Sequence, residues 1–367
     1  MGLTGTPLLV LVIVLLVVVF VTALLDLPRL RHRGAAALAR GAKVALVGAL
    51  AVLVSGIVLN DQYLFYISWG DLLGPAGQGT VSALGGSAGA GAVPASPLAG
   101  LRSPRVLPAL PSPGRREQVW TVASRSLGAR VQVLVELPPG YDPSSRRTYP
   151  VVVGLHGFPA VPSSYVYSDI VGAEDRQATA HRIAPAVVVI PQINAPERYD
   201  SECVDAAGGA PRVDSWLTSE LPRWVVAHLR VRTDRRSWAA VGYSFGGWCA
   251  ASTALRHPGL FGAFVDLQGY FRPDFGTAGA PEVPGLGGYD LVRLEARHPV
   301  PVAGFVETSR QDTLSYPSTA AFLRAVRAPT SVTAVVLPHG GHRPAVWQPV
   351  LPRAFRWLGQ VLPGFRP

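Results

Sequence analysis

Two different patterns of apolar and polar residues divide the chain. Residues 7–25 form an almost unbroken apolar run rich in Leu and Val, and residues 44–59 form a second, weaker run that small residues interrupt. Beyond residue 115, short apolar runs alternate with helical patterns. Long apolar runs predict membrane-spanning helices, whereas the alternation predicts a mostly parallel sheet with helices on both faces. The sequence therefore predicts an α/β domain preceded by two transmembrane helices.

The basic residues between the two apolar runs predict how the helices cross a membrane. They are Arg29, Arg31, Arg33, Arg40 and Lys43. The positive-inside rule makes such a loop cytoplasmic, so everything after the second helix would lie on the extracytoplasmic side. Residues 1–6 contain no basic side chain, whereas a cleaved signal peptide has basic residues ahead of its apolar core. We therefore expect an anchor in the cell membrane. A buried helical hairpin of a soluble protein is the alternative.

The stretch that follows the second apolar run has two parts. Four aromatic residues come first, as an interfacial belt would, and they are Tyr63, Phe65, Tyr66 and Trp69. Residues 70–114 are rich in Gly, Ala, Pro and Ser, a composition typical of a flexible linker. We accordingly divide the chain into a membrane anchor at residues 1–69, a linker at residues 70–114 and a catalytic domain at residues 115–367.

Strands and helices can be assigned within the domain. Apolar and polar residues alternate over residues 117–125 and 129–137, which predicts two antiparallel strands. Apolar runs predict buried strands at residues 149–155 and 186–191, and mostly apolar runs predict strands at residues 261–267, 302–307 and 331–337, with a further strand that begins at Trp238. Helical patterns cover residues 214–229, 317–326 and 346–362. This alternation is that of an α/β fold, in which ligands bind at the carboxyl ends of the parallel strands.

Composition narrows the possible partners. The formal net charge is +10, but Lys43 is the only lysine and no long basic run is present, so a solvated basic surface is favoured over nucleic-acid binding. The arginine bias is typical of a high-GC bacterial genome. Only Cys203 and Cys249 are present, which leaves neither a disulfide framework nor a cysteine zinc site. Cys249 is expected to be a buried free thiol, with a Cys203–Cys249 disulfide as the alternative if the domain is exported.

The pattern around Ser244 predicts a nucleophile elbow. An apolar run from Trp238 ends in Gly-Tyr-Ser-Phe-Gly and continues as a helical pattern of small residues. A strand that turns sharply into a helix strains its turning residue, and the residues two before and two after it must lack bulk, as Gly242 and Gly246 do. Ser244 would then be exposed at the end of its strand. A chance match in a Gly-rich chain is the alternative.

A serine hydroxyl becomes an effective nucleophile only when a base takes its proton. His298, His339 and His342 follow Ser244 in the chain. His298 is followed by Pro299 at the start of a predicted strand, a connector position with no apparent catalytic role, whereas the other two lie in the loop after the last predicted strand. The glycines before His342 let that loop reach across the sheet edge, so His342 is preferred to His339.

That histidine needs a carboxylate to fix its tautomer. Asp312 lies in the loop after the predicted strand at residues 302–307, where its side chain can turn toward a histidine. Glu307 is expected to remain in that strand and to pair or point outward, and Asp266 ends the preceding strand. We therefore prefer Asp312, with Glu307 and Asp266 as alternatives.

Two backbone N–H groups are predicted to form an oxyanion hole. One is that of Phe245, directly after the serine, and the other is that of Phe158, in the loop after the strand that ends near His156. His156 has no second histidine or carboxylate at ligand spacing, so we expect it to support the loop. No metal and no cofactor are expected.

Several separated motifs together resemble a known family. Residues 216–224, the elbow, residues 256–261 and residues 340–347 resemble the esterase-D-like group of α/β-hydrolases, and within it the secreted mycolyltransferases. The resemblance covers residues 119–362 and implies an α/β-hydrolase fold with a Ser-Asp-His triad. The roles it implies are nucleophile for Ser244, acid for Asp312, base for His342, and oxyanion hole for the N–H groups of Phe158 and Phe245.

The chain departs from those mycolyltransferases around the sugar site. Pro159 and Pro344 occupy the positions of the family's arginine and tryptophan, which argues against trehalose as acceptor. We therefore expect a membrane-anchored, extracytoplasmic serine esterase that hydrolyses acyl-ester or lipid-like substrates through an acyl-enzyme. Acyl transfer to a cell-envelope sugar or lipid is one alternative, and a catalytically silent envelope-binding α/β-hydrolase is another.

Overall fold

The alternating apolar runs form one nine-stranded sheet. The computed structural model describes residues 2–25, 35–74, 79–85, 94–196, 199–276 and 281–367. The strands are β1 (Thr80–Gly85), β2 (Glu117–Ser124), β3 (Ala129–Glu136), β4 (Val151–Leu155), β5 (Val187–Pro191), β6 (Trp238–Tyr243), β7 (Ala263–Leu267), β8 (Ala303–Ser309) and β9 (Ser331–Leu337).

Helices flank the sheet and precede it. They are α1 (Thr6–Leu25), α2 (Ala35–Tyr63), α3 (Trp69–Leu73), α4 (Pro162–Tyr167), α5 (Ile170–Thr179), α6 (Val213–Ser215), α7 (Leu221–His228), α8 (Phe245–Arg256), α9 (Leu291–Arg297), α10 (Tyr316–Ala325), α11 (Pro344–Trp347) and α12 (Leu351–Val361). A π-helical turn, Trp216–Glu220, joins α6 to α7. The predicted helix at residues 214–229 is therefore made of three pieces.

The sheet order is β1-β9-β8-β7-β6-β4-β5-β3-β2. Strands β5, β4, β6, β7, β8 and β9 pair in parallel, while β3 and β2 continue one edge antiparallel and β1 pairs antiparallel with β9 at the other. Every residue of β4, β5, β7 and β8 is buried, because helices α7, α8, α9 and α10 pack on one face and α5 and α12 on the other. The prediction of a mostly parallel α/β sheet is confirmed, and its carboxyl edge is where a ligand is expected to bind.

Helices α1 and α2 are long and apolar enough to cross a membrane. Their candidate spans, Thr6–Leu25 and Leu38–Tyr63, have mean hydropathies of 3.6 and 2.4, and only 6% of each span is buried. A core helix of a soluble protein would be mostly buried. Arg29, Arg31 and Arg33 of the predicted cytoplasmic loop lie outside the described residues. Helix α2 begins earlier than residue 44, so Arg40 and Lys43 lie on the helix.

The structure differs from the predicted linker over residues 80–85. These residues form β1, which pairs along its whole length with β9, from Thr80 opposite Val336 to Gly85 opposite Ser331. Five of its six residues are exposed and only Leu84 is half-buried, so the strand lacks the buried apolar positions that mark the other strands. It forms because the backbone of the sheet's last parallel strand offers unpaired hydrogen-bonding groups.

The expectation of a free thiol at position 249 was wrong. Cys203 and Cys249 form a disulfide with a Cα–Cα distance of 5.6 Å. The loop after β5 turns back over α8 through two residues with positive φ, Glu202 and Cys203. The indole N–H of Trp248 donates to the carbonyl oxygen of Glu202 at 3.0 Å, and this contact places Cys203 beside the helix.

Candidate active site

The turn between β6 and α8 has the geometry of the predicted elbow. Ser244 lies between the two elements with φ 56° and ψ −130°, a conformation that is strained for a residue with a side chain. A Cβ atom at Gly242 would lie 2.1 Å from the carbonyl oxygen of Gly246, and one at Gly246 would lie 2.0 Å from that of Leu155. Neither position can accept a side chain, because the first turn of α8 fills the space beside Gly242 and the backbone of β4 fills the space beside Gly246.

The loop after β9 brings a histidine to the serine. Nε2 of His342 is 2.7 Å from Oγ of Ser244, and Nδ1 of His342 is 2.8 Å from Oδ2 of Asp312. His339 lies exposed in the same loop, and His298 ends helix α9. Of the three histidines considered, the structure brings only His342 to Ser244.

Asp312 is held by several hydrogen bonds in the loop after β8. Its Oδ1 accepts the N–H groups of Leu314 and Ser315, and its Oδ2 accepts the hydroxyl of Ser315 at 2.7 Å. Burial raises the pKa of this carboxyl, but the hydrogen bond and charge of His342 and the bonds from Ser315 outweigh burial, so the pKa lies below its ordinary value. Asp312 is therefore ionised at neutral pH and oriented toward the imidazole.

The two alternative carboxyls lie elsewhere in the core. Asp266 accepts the N–H of Gly269 at 2.6 Å, and burial raises its pKa well above the ordinary range. Glu307 was expected to pair or point outward, but it is fully buried in β8, and its oxygens have no hydrogen-bond partner among the described residues. Burial raises the pKa of Glu307 well above its ordinary value, and the nearby Asp312 and Asp266 raise it further, which favours the uncharged form in the core.

The two residues whose N–H groups are predicted to form the oxyanion hole, Phe158 and Phe245, line the same cleft as Ser244. Phe245 opens helix α8, and the ring of Phe158 is 6.0 Å from that of Phe245. Neither N–H donates a hydrogen bond to another described residue. His156 is buried below the loop, where its Nδ1 is 2.9 Å from the carbonyl oxygen of Gly157 and burial lowers its pKa to about 4. A neutral, buried His156 suits the supporting role predicted for it.

A cleft of about 580 Å³ opens over Ser244. Its lining is rich in aromatic residues and also contains three acidic ones. The aromatic residues include Tyr63, Phe65, Phe158, Phe245 and Trp347, and the acidic ones are Asp200, Glu202 and Asp274. The rings of Tyr243 and Trp347 stack at 5.5 Å, and the ring of Trp347 meets that of His342 edge-on at 6.0 Å.

The cleft includes residues that the sequence pattern assigned to other roles. Tyr63 and Phe65 were predicted to belong to an interfacial belt, but they line the cleft. Asp71 was placed in the linker, yet it forms an ion pair with Arg343, the residue after His342. In the sequence, the charge of Arg343 directly beside His342 was the signal for this ion pair. No local pattern identified Asp71 as its partner.

The sheet order and the elbow define this fold as an α/β-hydrolase. Residues 124–357 match the sequence profile of the Esterase family, described as "Putative esterase". The match covers more than half of the chain, so the chain belongs to this family.

Two curated relatives are similar in sequence. An uncharacterized protein of Corynebacterium glutamicum is 28% identical over an alignment 244 residues long, which covers 61% of this chain and 56% of that one. The MPT51 antigen of Mycobacterium leprae is 38% identical over 65 residues, which are 18% of this chain and 21% of the antigen. The match thus spans about half the length of the first relative and a fifth of the second.

Solved structures support the same fold. A ferulic acid esterase has a TM-score of 0.57 and 21% identity, over 67% of this chain and 98% of its own. An S-formylglutathione hydrolase from Agrobacterium tumefaciens has a TM-score of 0.57 and 18% identity, and the match covers 67% of this chain and 95% of the hydrolase. The fluorophosphonate-binding serine hydrolase F of Staphylococcus aureus has a TM-score of 0.51 and 19% identity, over 66% and 97%.

Proposed function

We propose that the chain is a membrane-anchored serine esterase that cleaves carboxylic esters through an acyl-enzyme at Ser244. The observation that carries the proposal is the line of hydrogen bonds from Ser244 Oγ to His342 Nε2, at 2.7 Å, and from His342 Nδ1 to Asp312, at 2.8 Å. Membership of the Esterase family supports the same reaction class.

The reaction follows from the position of each group. As Ser244 Oγ attacks the ester carbonyl, its proton passes to Nε2 of His342, and Asp312 stabilises the imidazolium that forms. The carbonyl oxygen becomes an oxyanion that receives the N–H groups of Phe158 and Phe245. The C–O bond to the alcohol then breaks, and His342 returns its proton to the leaving oxygen. Water repeats these steps on the acyl-enzyme and releases the acid.

An extracytoplasmic location of the domain belongs to the same proposal. Two exposed, apolar helices precede the domain, and they suit a membrane anchor in length and composition. The Cys203–Cys249 disulfide supports an oxidising compartment, since disulfides are rare in the cytosol. Arg40 and Lys43 lie toward the start of α2, and the positive-inside rule favours a cytoplasmic position for that end and an extracytoplasmic position for the domain.

Acyl transfer to a polyhydroxylated acceptor is the second candidate. Asp200 and Asp274 line the same cleft as the aromatic side chains, and carboxylates are good acceptors for the hydroxyl groups of a sugar. Such an acceptor would replace water in the second half of the reaction. Added sugar or glycerol would then yield an acylated product in preference to free acid.

The test uses the full chain in detergent micelles with p-nitrophenyl butyrate as substrate. Wild type should release p-nitrophenol and bind a fluorophosphonate probe, and Ser244→Ala should lose both, with a fall in rate of about 10³-fold or more. Ser82→Ala, at an exposed position of β1, is the matched control and should behave as wild type. Unchanged turnover in Ser244→Ala would refute the mechanism, and a wild type that neither turns over nor labels would favour a silent binding protein.

A further inference from the structure

The segment that leaves α2 binds the loop of the catalytic histidine. We call residues 64–71 the clasp. The carbonyl oxygen of Leu64 accepts the N–H of His342 at 2.8 Å, and Oδ2 of Asp71 accepts the N–H of Gly341 at 2.9 Å. The guanidinium of Arg343 donates to the carbonyl oxygen of Phe65 at 2.6 Å. Three consecutive residues of the loop, with His342 in the middle, are thus bonded to the clasp.

A buried ion pair joins the two segments. Arg343 meets the carboxylate of Asp71 with both terminal nitrogens, at 2.7 Å and 2.9 Å, and the two side chains are only 11% and 1% exposed. The guanidinium carbon also lies 4.3 Å from the centre of the Tyr66 ring. A bidentate ion pair of this kind fixes the orientation of the two side chains as well as their distance, because the planar guanidinium of arginine matches the geometry of the carboxylate.

The close approach of the backbones explains a glycine of the loop. A Cβ atom at Gly341 would lie 2.2 Å from the carbonyl oxygen of Phe65 and 2.6 Å from that of Leu64. The nearest obstacles are therefore backbone atoms of the clasp and not of the hydrolase core. The loop admits the clasp only because position 341 has no side chain.

The clasp also leads into the cleft. Tyr63 ends α2, and Tyr63 and Phe65 line the space over Ser244 together with Gln62. The helix that we propose to cross the membrane therefore continues directly into one wall of the candidate active site. Within the described residues, the loop of His342 receives only one side-chain bond from the core besides those of its own ring, the bond from Gln268 to the carbonyl oxygen of Gly341 at 3.2 Å.

We infer that Asp71 and Arg343 are positioning residues, and that the clasp holds His342 at bonding distance from Ser244 during turnover. The inference rests on the proposed function of Ser244 and His342. A displacement of about 1 Å in a catalytic group can cost on the order of 100-fold in rate. On this account the segment that leaves α2 positions the catalytic histidine, so the domain depends on the clasp for its chemistry.

The test compares three clasp variants in the full chain in detergent micelles. Asp71→Asn removes the negative charge of the ion pair, and Arg343→Lys keeps the positive charge but cannot form the bidentate contact. Gly341→Ala inserts a methyl group against the carbonyl oxygen of Phe65. Arg176→Lys is the matched control, because Arg176 forms an exposed ion pair with Asp169 away from the loop. Active sites are counted by exhaustive fluorophosphonate labelling, and kcat for p-nitrophenyl butyrate is expressed per labelled site.

We expect each clasp variant to lose at least tenfold in kcat per labelled site, with KM changed less than threefold and with a slower labelling rate. The control should keep wild-type values. Variants that label less but retain wild-type kcat per site would show a merely structural role and overturn the inference, as would variants identical to wild type. Arg343→Lys still pairs the buried carboxylate of Asp71 with a cation, so this variant is expected to fold. It can be compared with wild type even if the other two variants fold poorly. A wild type without turnover or label would instead refute the proposed function.

Discussion

Gly246 is the position at which the elbow has least space. This glycine is the second residue of α8, and the Cβ atom of an alanine there would lie 2.0 Å from the carbonyl oxygen of Leu155 and 2.6 Å from that of His156. Both obstacles are backbone atoms of β4 and the loop that follows it, which cannot move aside as a flexible side chain would. Gly246→Ala must therefore displace the start of α8.

The displacement has two consequences that can be estimated. Ordinary contact with a Cβ atom begins at 3.4 Å, so the helix start must move by more than an ångström relative to β4. Overpacking of a core costs about 1–3 kcal/mol of unfolding free energy. The same movement carries Ser244 and the N–H of Phe245 away from His342 and Phe158, and a misplacement of this size costs about 100-fold in rate.

The assay measures kcat for p-nitrophenyl butyrate and the unfolding free energy in denaturant, both with the full chain in micelles. Gly287→Ala is the matched control, since a Cβ at Gly287 would meet nothing within 4 Å and should change stability by less than about 0.5 kcal/mol. A Gly246→Ala variant with the stability and kcat of the control would refute the close packing of elbow and strand.

Two further predictions concern stability. Replacing both Cys203 and Cys249 by serine should lower the unfolding free energy by up to about 4 kcal/mol, because the disulfide closes a loop over a sequence separation of 46. Denaturation with and without reductant checks this, since only wild type should respond to the reductant. Burial raises the pKa of Glu174 to about 8 from its ordinary value of 4.5. Between these two pH values the carboxyl ionises in the unfolded chain but stays protonated in the folded one. The unfolding free energy is therefore highest below pH 4.5 and falls as the pH rises toward 8. Glu174→Gln keeps an acceptor for the N–H of Ala186 but cannot ionise, and it should be more stable than wild type at pH 8 by up to about 4 kcal/mol, with little difference at pH 4. A constant difference between the two proteins across this pH range would contradict that reasoning.

Much of the fold could be predicted because its signals are local. Strands β4, β5, β7 and β8 are short runs in which every residue is buried, and the glycines around Ser244 mark the elbow within five residues. The elbow and the order of strands then favoured a histidine in the loop after β9 and a carboxylate in the loop after β8, with Glu307 and Asp266 as alternative acids. The structure brings His342 and Asp312 to Ser244, while their catalytic roles remain part of the proposal.

The parts that sequence did not reveal depend on distant contacts. Strand β1 has almost no buried side chain and exists through backbone bonds to β9. Asp71 and Arg343 are 272 residues apart and carry no motif, so their pairing could be known only once the chain had folded. Cys203 lies beside Cys249 because Glu202 and Cys203 form a turn with positive φ angles. The pattern of apolar and polar residues does not predict such a turn. The division into anchor, linker and catalytic domain stays a prediction.

The central claim is that Ser244 forms a covalent acyl intermediate. Full-length protein is mixed with p-nitrophenyl butyrate, quenched in acid within the first turnovers, digested and examined by mass spectrometry. The account predicts one added butyryl group on the peptide that contains Ser244, and no adduct in Ser244→Ala. Ester turnover with the butyryl group on a different residue, or turnover that persists in Ser244→Ala, would contradict it.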